Sequence, residues 1–145
     1  MLHTRRRTLR ANGRQLNCAQ RPAVGTQAAP CVGMQHSRSS SVIEHSLAVV
    51  ELSRPLVEAV QRKDRDLASQ LRRAISSICL NLAEGFGCAG GNARLRFQTA
   101  LGSLNEAQTA LRVAVAWGYF SQEAANATLE SMRTLGGRIV GLVRR

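Results

Sequence analysis

Aromatic side chains are scarce in this chain: three Phe, one Tyr and one Trp make up 3% of its residues. So few rings argue against the stacking platforms by which single-strand binders hold bases. Lysine is rarer still, with Lys63 its sole representative among 20 basic residues. Arginine, which supplies the rest, suits bidentate phosphate contacts, although a GC-rich genome would give the same bias. No apolar run is long enough to cross a membrane. The four cysteines, Cys18, Cys31, Cys79 and Cys88, form no Cys-x-x-Cys and pair with no histidine at ligand spacing. That excludes the usual zinc patterns, and no metal is expected. With no secretion signal, reduced thiols in a cytoplasmic protein are expected. A P-loop is absent, and no histidine or cysteine of the body is placed to serve a Ser, Asp or Glu as a base. Neither a catalytic constellation nor a cofactor motif is present, so a non-enzymatic protein without cofactors is expected.

What the chain has in excess is positive charge, a formal +11 over 145 residues. The charge is unevenly placed. Residues 1–40 hold seven arginines and no acid, which leaves residues 41–145 with an excess of about four. Aperiodic and rich in Arg, Ser, Gly, Gln and Pro, residues 1–40 read as a disordered basic tail. A mitochondrial transit peptide would share that acid-free, Arg-rich composition, and residues Thr4 to Leu9 faintly resemble a twin-arginine signal, but no apolar segment follows them. The reading that fits best places the true start at Met34, with residues 1–33 as translated upstream sequence.

From residue 41 onward the hydrophobic pattern is helical. Helix one spans about Val42 to Arg62, with Ile43, Leu47, Val50 and Val57 as its stripe, widened by Val49, Leu52, Leu56 and Val60. Pro55 is expected to kink or divide it, and His45 reads as a surface residue. Asp64 and Asp66 offer N-cap chemistry for helix two. That helix carries Leu67, Leu71, Ala74, Ile75, Ile78 and Leu82 on one arc and Gln70, Arg73, Ser77, Asn81 and Glu84 on a polar stripe beside it. It is expected to end at Gly85. The next residues, Gly85-Phe86-Gly87-Cys88-Ala89-Gly90, spell GxGxxG, but a helix rather than a strand precedes them, so they form an interhelical turn. Helix three, about Ala93 to Trp117, is capped by Asn92 and seamed by Phe97, Leu101, Leu104, Leu111 and Val115. Its internal Gly102 and Ser103 suggest a close helix contact, since glycine there costs about 1 kcal/mol relative to alanine. Ser121 and Glu123 start helix four, striped by Ala125, Leu129, Met132, Leu135, Ile139 and Leu142. Gly136, Gly137 and Gly141 are expected to meet another helix closely. Four helices with short links give an all-α, antiparallel up-and-down four-helix bundle over residues 41–145.

Three blocks of this sequence also resemble a known family. Gln70-Leu71-Arg72-Arg73-Ala74 with Ser77-Ile78 and Asn81-Leu82-Ala83-Glu84-Gly85 forms the first. Ala100-Leu101-Gly102-Ser103-Leu104 with Glu106 forms the second, and Trp117-Gly118-Tyr119-Phe120 the third. Their order resembles the four-helix-bundle proteins encoded within 23S ribosomal RNA intervening sequences, together with the accessory variability proteins of diversity-generating retroelements. The resemblance runs from about residue 42 to the end. It implies a bacterial protein that assembles as a homopentameric ring. If the retroelement relatives are the guide, it also implies a reverse transcriptase as partner. Cys79 departs from the proline usual in the family. Cys88-Ala89-Gly90-Gly91 replaces basic and polar residues, which weakens a phosphate-gripping role for that turn.

Candidate functional residues fall into three sets. Cys79, Leu80 and Ala83 lie away from the main apolar arc of helix two, and a helix apolar on two sides meets two partners, here its own bundle and a second subunit. Gln70, Asn81 and Glu84 read as a structural polar network. Glu84 sits near a helix C-terminus, where a carboxylate is disfavoured, so a fixed partner such as an arginine of helix three or of a neighbouring subunit is expected. Arg65, Arg72, Arg73, Arg94 and Arg96, with Arg62 and Arg112 beside them, are the candidate contacts to RNA or DNA phosphates; the plain alternative is a solvated face. A homo-oligomer that binds nucleic acid is therefore expected, and its rival is a purely structural protein-interaction module.

Overall fold

A computed structural model describes residues 36–145, with side chains from Ser41 onward. The basic tail up to residue 35 and the start at Met34 lie outside the described residues. Every described element is a helix: α1 is His36–Gln61, α2 Arg65–Gly87, α3 Gly90–Ala116 and α4 Gln122–Val143. Each packs on the next, α2 with α3 most extensively, and α4 closes back on α1. Paired positions run in opposite order. Ser77 meets Ser103 and Glu84 meets Arg96, while Ser41 meets Arg138 and Leu52 meets Thr128. Short links and opposite directions make an up-and-down bundle of four helices.

The caps explain where two of these helices begin. The Asp64 carboxylate accepts from the Leu67 N–H at 2.9 Å, and the Ser121 hydroxyl accepts from the Ala124 N–H at 3.3 Å. Each satisfies a backbone donor that the first turn leaves open. Glu123 completes the second cap, and its own backbone N–H and the Ser121 hydroxyl hold its carboxyl below the usual range. Helix α3 starts earlier than its sequence suggests, at Gly90, whose φ of +58° suits glycine. Its N-cap is Ala89, which makes no side-chain cap bond, so Asn92 does not cap it.

The core is built from Leu71, Ile75, Ile78 and Leu82 of α2, Phe97, Leu104 and Leu111 of α3, and Met132, Leu135 and Ile139 of α4, all buried. The stripes of α1 and α3, the end of α2 and some of the glycine contacts need correction. In α1 the inward face is Val42, Ser46, Val49, Ser53, Leu56, Val57 and Val60. This keeps Val49, Leu56, Val57 and Val60 of the expected stripe, whereas Leu47, Val50 and Leu52 are exposed. The two buried serines donate to Ile43 and Val49 carbonyls, so their hydroxyls enter the core without a desolvation penalty. In α3 the buried face is carried largely by Ala100, Ala107, Ala110 and Ala114, whose small side chains let α2 approach closely. Gly85 does not end α2. It is a buried helical residue, and a Cβ there would lie 2.8 Å from Cδ1 of Phe97. Phe97 in turn meets Phe86 edge to face, with ring centroids 5.2 Å apart. Finally, Gly136 does pack closely, against Leu104, but Gly102, Gly137 and Gly141 face open space within the subunit.

Pro55 sits within α1 without dividing it. One turn away, the Thr128 hydroxyl of α4 donates to the Leu52 carbonyl at 3.1 Å, a polar tie across the α1–α4 seam.

Candidate functional site

The polar stripe of α2 faces α3, and between the two helices lies an open groove of about 450 Å³. Arg72, Arg73, Ser76, Ser77, Leu80, Asn81, Glu84 and Arg96 line it. Residues from all three sequence-derived sets thus converge: two arginines of α2 and one of α3, the Asn81–Glu84 pair, and Leu80. Arg65 and Arg94 are exposed elsewhere on their helices, as are Gln70 and Ala83, and Cys79 is half-buried.

The floor of the groove is a short hydrogen-bonded chain. Asn81 Nδ2 donates to the Ser77 carbonyl at 2.9 Å and to Ser77 Oγ at 3.1 Å, and Ser77 Oγ shares a proton with Ser103 Oγ at 2.8 Å. Gln70 takes no part in it. Glu84 is tied to a different partner: Arg96 Nε reaches its Oε2 at 2.9 Å, with both side chains about half exposed. An arginine of α3 is therefore what offsets the unfavourable helix end at Glu84. In water such a pair contributes about 0–1 kcal/mol, so it fixes geometry more than stability.

The arginines divide by what they touch. Arg96 is committed to Glu84, and Arg72 Nη2 donates to Gln61 Oε1 of α1 at 2.7 Å. Arg65, Arg73 and Arg94 are exposed and have no carboxylate partner among the described residues. Only two ion pairs, Arg96–Glu84 and Arg133–Glu130, form among those residues. The neutralised, salt-bridged surface that would make the arginines unremarkable neighbours of their acids is not what the bundle presents.

Sequence reasoning missed a second cluster on the α1–α4 seam. His45 is half-buried rather than on the surface, with Nε2 3.2 Å from Ser131 Oγ and Nδ1 3.2 Å from Arg138 Nη1. Arg138 also donates to the Ser41 carbonyl at 3.0 Å and to its hydroxyl at 2.6 Å. A Ser–His contact invites comparison with a nucleophile and its base, but the polarity here is reversed. A guanidinium can only donate, so Nδ1 must accept and Nε2 carries the proton toward Ser131. Burial first, and the Arg138 charge second, lower the His45 pKa, which keeps the ring neutral in that tautomer. The ring is thus a donor to Ser131 and cannot accept its proton. Apolar periodicity gave no signal for this cluster: Ser46, next in sequence, is a core residue, and a face that includes it brings His45 to the seam.

Among the described residues no group of His, Cys, Asp and Glu could hold a metal ion, and no helix is long and apolar enough to cross a membrane.

Comparison with known proteins adds family to fold. A crystal structure of a protein with unknown function from the S23 ribosomal protein family of Bacteroides thetaiotaomicron superposes with a TM-score of 0.66. At 16% identity it covers 74% of this chain and 99% of its own, and the likeness extends to the fold alone. No curated protein matches. The sequence profile of the 23S rRNA-intervening sequence proteins matches residues 38–141, from the first turn of α1 to the last turns of α4. By that match, the chain belongs to the 23S rRNA-intervening sequence protein family.

Proposed function

We propose that this protein is a non-enzymatic, cytoplasmic homo-oligomer that binds nucleic acid through phosphate contacts made by its arginines. The observation that carries the reading is the set of exposed arginines without acidic partners, Arg65, Arg73 and Arg94, on the two helices that flank the groove. Unpaired guanidinium groups keep their charge available for phosphate forks. Assembly would multiply the effect. Five copies of an excess of about four charges give roughly +20 around one axis, enough to raise the local concentration of a polyanion. Contacts of this kind position a backbone without reading bases. Because the family is described by its place in 23S rRNA, RNA is the polyanion to test first.

A second reading rests on Leu80, which is 63% exposed on the wall of the same groove, with the exposed Ala83 near it on α2. An apolar residue so placed suits a protein partner, in the first instance a second copy in a ring; a reverse transcriptase is the partner that the retroelement relatives would imply. The two readings separate in a filter-binding titration of residues 34–145, free of the tail arginines, with RNA and DNA over a range of salt. Salt-dependent binding supports the first. A folded oligomer that ignores both nucleic acids at low ionic strength supports the second.

A further inference from the structure

Helix α1 carries an acidic ridge that no side chain of its own subunit pairs. Glu44, Leu47, Glu51, Arg54 and Glu58 recur every three or four residues, so they share one face of α1, and all are exposed. Three carboxylates against one guanidinium leave that face with an excess of two negative charges. Arg62 stands beyond the end of the helix. None of the three carboxylates makes an ion pair or a side-chain hydrogen bond among the described residues. The ridge is also apolar in part: Leu47 is 45% exposed, and Val50 at its edge 38%.

The groove between α2 and α3 is its counterpart. There Arg72, Arg73 and Arg96 outnumber Glu84 by two charges of the opposite sign, around the exposed Leu80. At 1.5 Å per residue, the groove follows α2 for about 16 Å from Arg73 to Glu84, and the ridge runs about 21 Å from Glu44 to Glu58. An open groove of that length suits a helix ridge.

We propose that α1 of one copy lays this ridge in the α2–α3 groove of a second copy, with Leu47 and Val50 against Leu80 and the carboxylates toward Arg72 and Arg73. The inference rests on the assembly reading above and names the surface that meets Leu80. Charge decides the occupant: an excess of two on the ridge answers an excess of two in the groove, and every copy carries both surfaces at the same concentration. A nucleic acid in the groove would meet Leu80 and Glu84 in its lining and leave the α1 carboxylates unanswered. Ridge and groove are different surfaces, so the contact is head to tail, the kind that closes into rings. Complementary charges of this sort also suppress wrong pairings. Arg65 and Arg94 line no part of the groove, which leaves them for phosphate.

Light scattering and sedimentation of the full chain, stripped of nucleic acid, test the pairing. Glu51→Arg and Arg73→Glu should each weaken self-association by about 10-fold or more, because like charges then face each other. The double variant should recover most of it, and so should an equimolar mixture of the two single variants. Both side chains are exposed, so circular dichroism should stay unchanged. Glu106→Arg, the same change of charge at an exposed position of α3, should leave association as it is. Association that survives either single reversal, or that the double variant fails to recover, overturns the interface, as does an equal loss in Glu106→Arg. An effect of Glu51→Arg that vanishes in residues 34–145 assigns the ridge to the basic tail of the same chain and also overturns it. A monomer at micromolar concentration removes the interface and the assembly reading together. RNA binding is scored separately, by its salt dependence, and stands or falls there.

Discussion

At the scale of single residues, two glycines with the same helix cost have opposite surroundings. Gly85 is pressed against Phe97, whose Cδ1 would stand 2.8 Å from an added Cβ. Gly85→Ala should therefore destabilise the bundle by about 1–3 kcal/mol through overpacking, read from urea denaturation. Gly102 faces open space in the subunit, so Gly102→Ala should stabilise by about 0.5–1 kcal/mol. A loss of stability there would mean that another copy packs on that spot. His45 gives a third test. Its folded pKa lies below the ordinary value of about 6.5, so between those two values the unfolded chain binds a proton that the folded chain refuses. This contribution is intact above about pH 6.5 and is lost as the pH falls through the folded pKa. Denaturation at neutral and mildly acidic pH should show the decline, and His45→Gln should flatten it. An equal decline in the variant would place the titrating group elsewhere.

At the scale of helices, the sequence disclosed the elements better than their faces. Helix two was legible because its core arc is made of large aliphatics, from Leu71 through Ile78 to Leu82, all buried. The face of α1 was misread for a physical reason. Ser46 and Ser53 are core residues, their hydroxyls satisfied by carbonyls of their own helix, and a search for apolar periodicity counts them as solvent-facing. Leu47 and Val50 then take their place, although both are exposed. The same error hid His45. On α3 the seam residues Phe97, Leu104 and Leu111 are buried as expected, but the buried alanines carry so little hydrophobic signal that they were missed, and Leu101 and Val115, counted with the seam, are only half-buried. Of the candidate site, the Glu84 partner was legible because a carboxylate at a helix C-terminus requires one. The Ser77–Ser103 contact was not, since serine pairs with almost anything. The exposed Leu80 leads to a prediction at this scale. If α2 meets a second subunit through Leu80 and Ala83, Leu80→Asp should dissociate the oligomer in light scattering and leave the helical circular dichroism nearly unchanged. An oligomer that survives the substitution places the interface on another helix.

For the whole molecule, the account rests on charge that the bundle does not neutralise internally. Arg72 and Arg96 each have a partner within the subunit, whereas Arg65, Arg73 and Arg94 have no acidic one. The phosphate contacts should accordingly belong to the second group. Substitution of Arg72 carries a side effect on the α1–α2 seam, through its bond to Gln61, which the other three avoid. The most direct measurement is the salt dependence of RNA binding by residues 34–145, compared with the Arg65→Gln/Arg73→Gln/Arg94→Gln variant. The account predicts that log affinity falls linearly with log salt, at about 0.7 per single-strand phosphate neutralised or about 0.9 for duplex DNA. It also predicts a shallower slope and weaker binding for the variant, with its helical content intact. Binding that is absent at low ionic strength, or a slope identical in the two proteins, would contradict it.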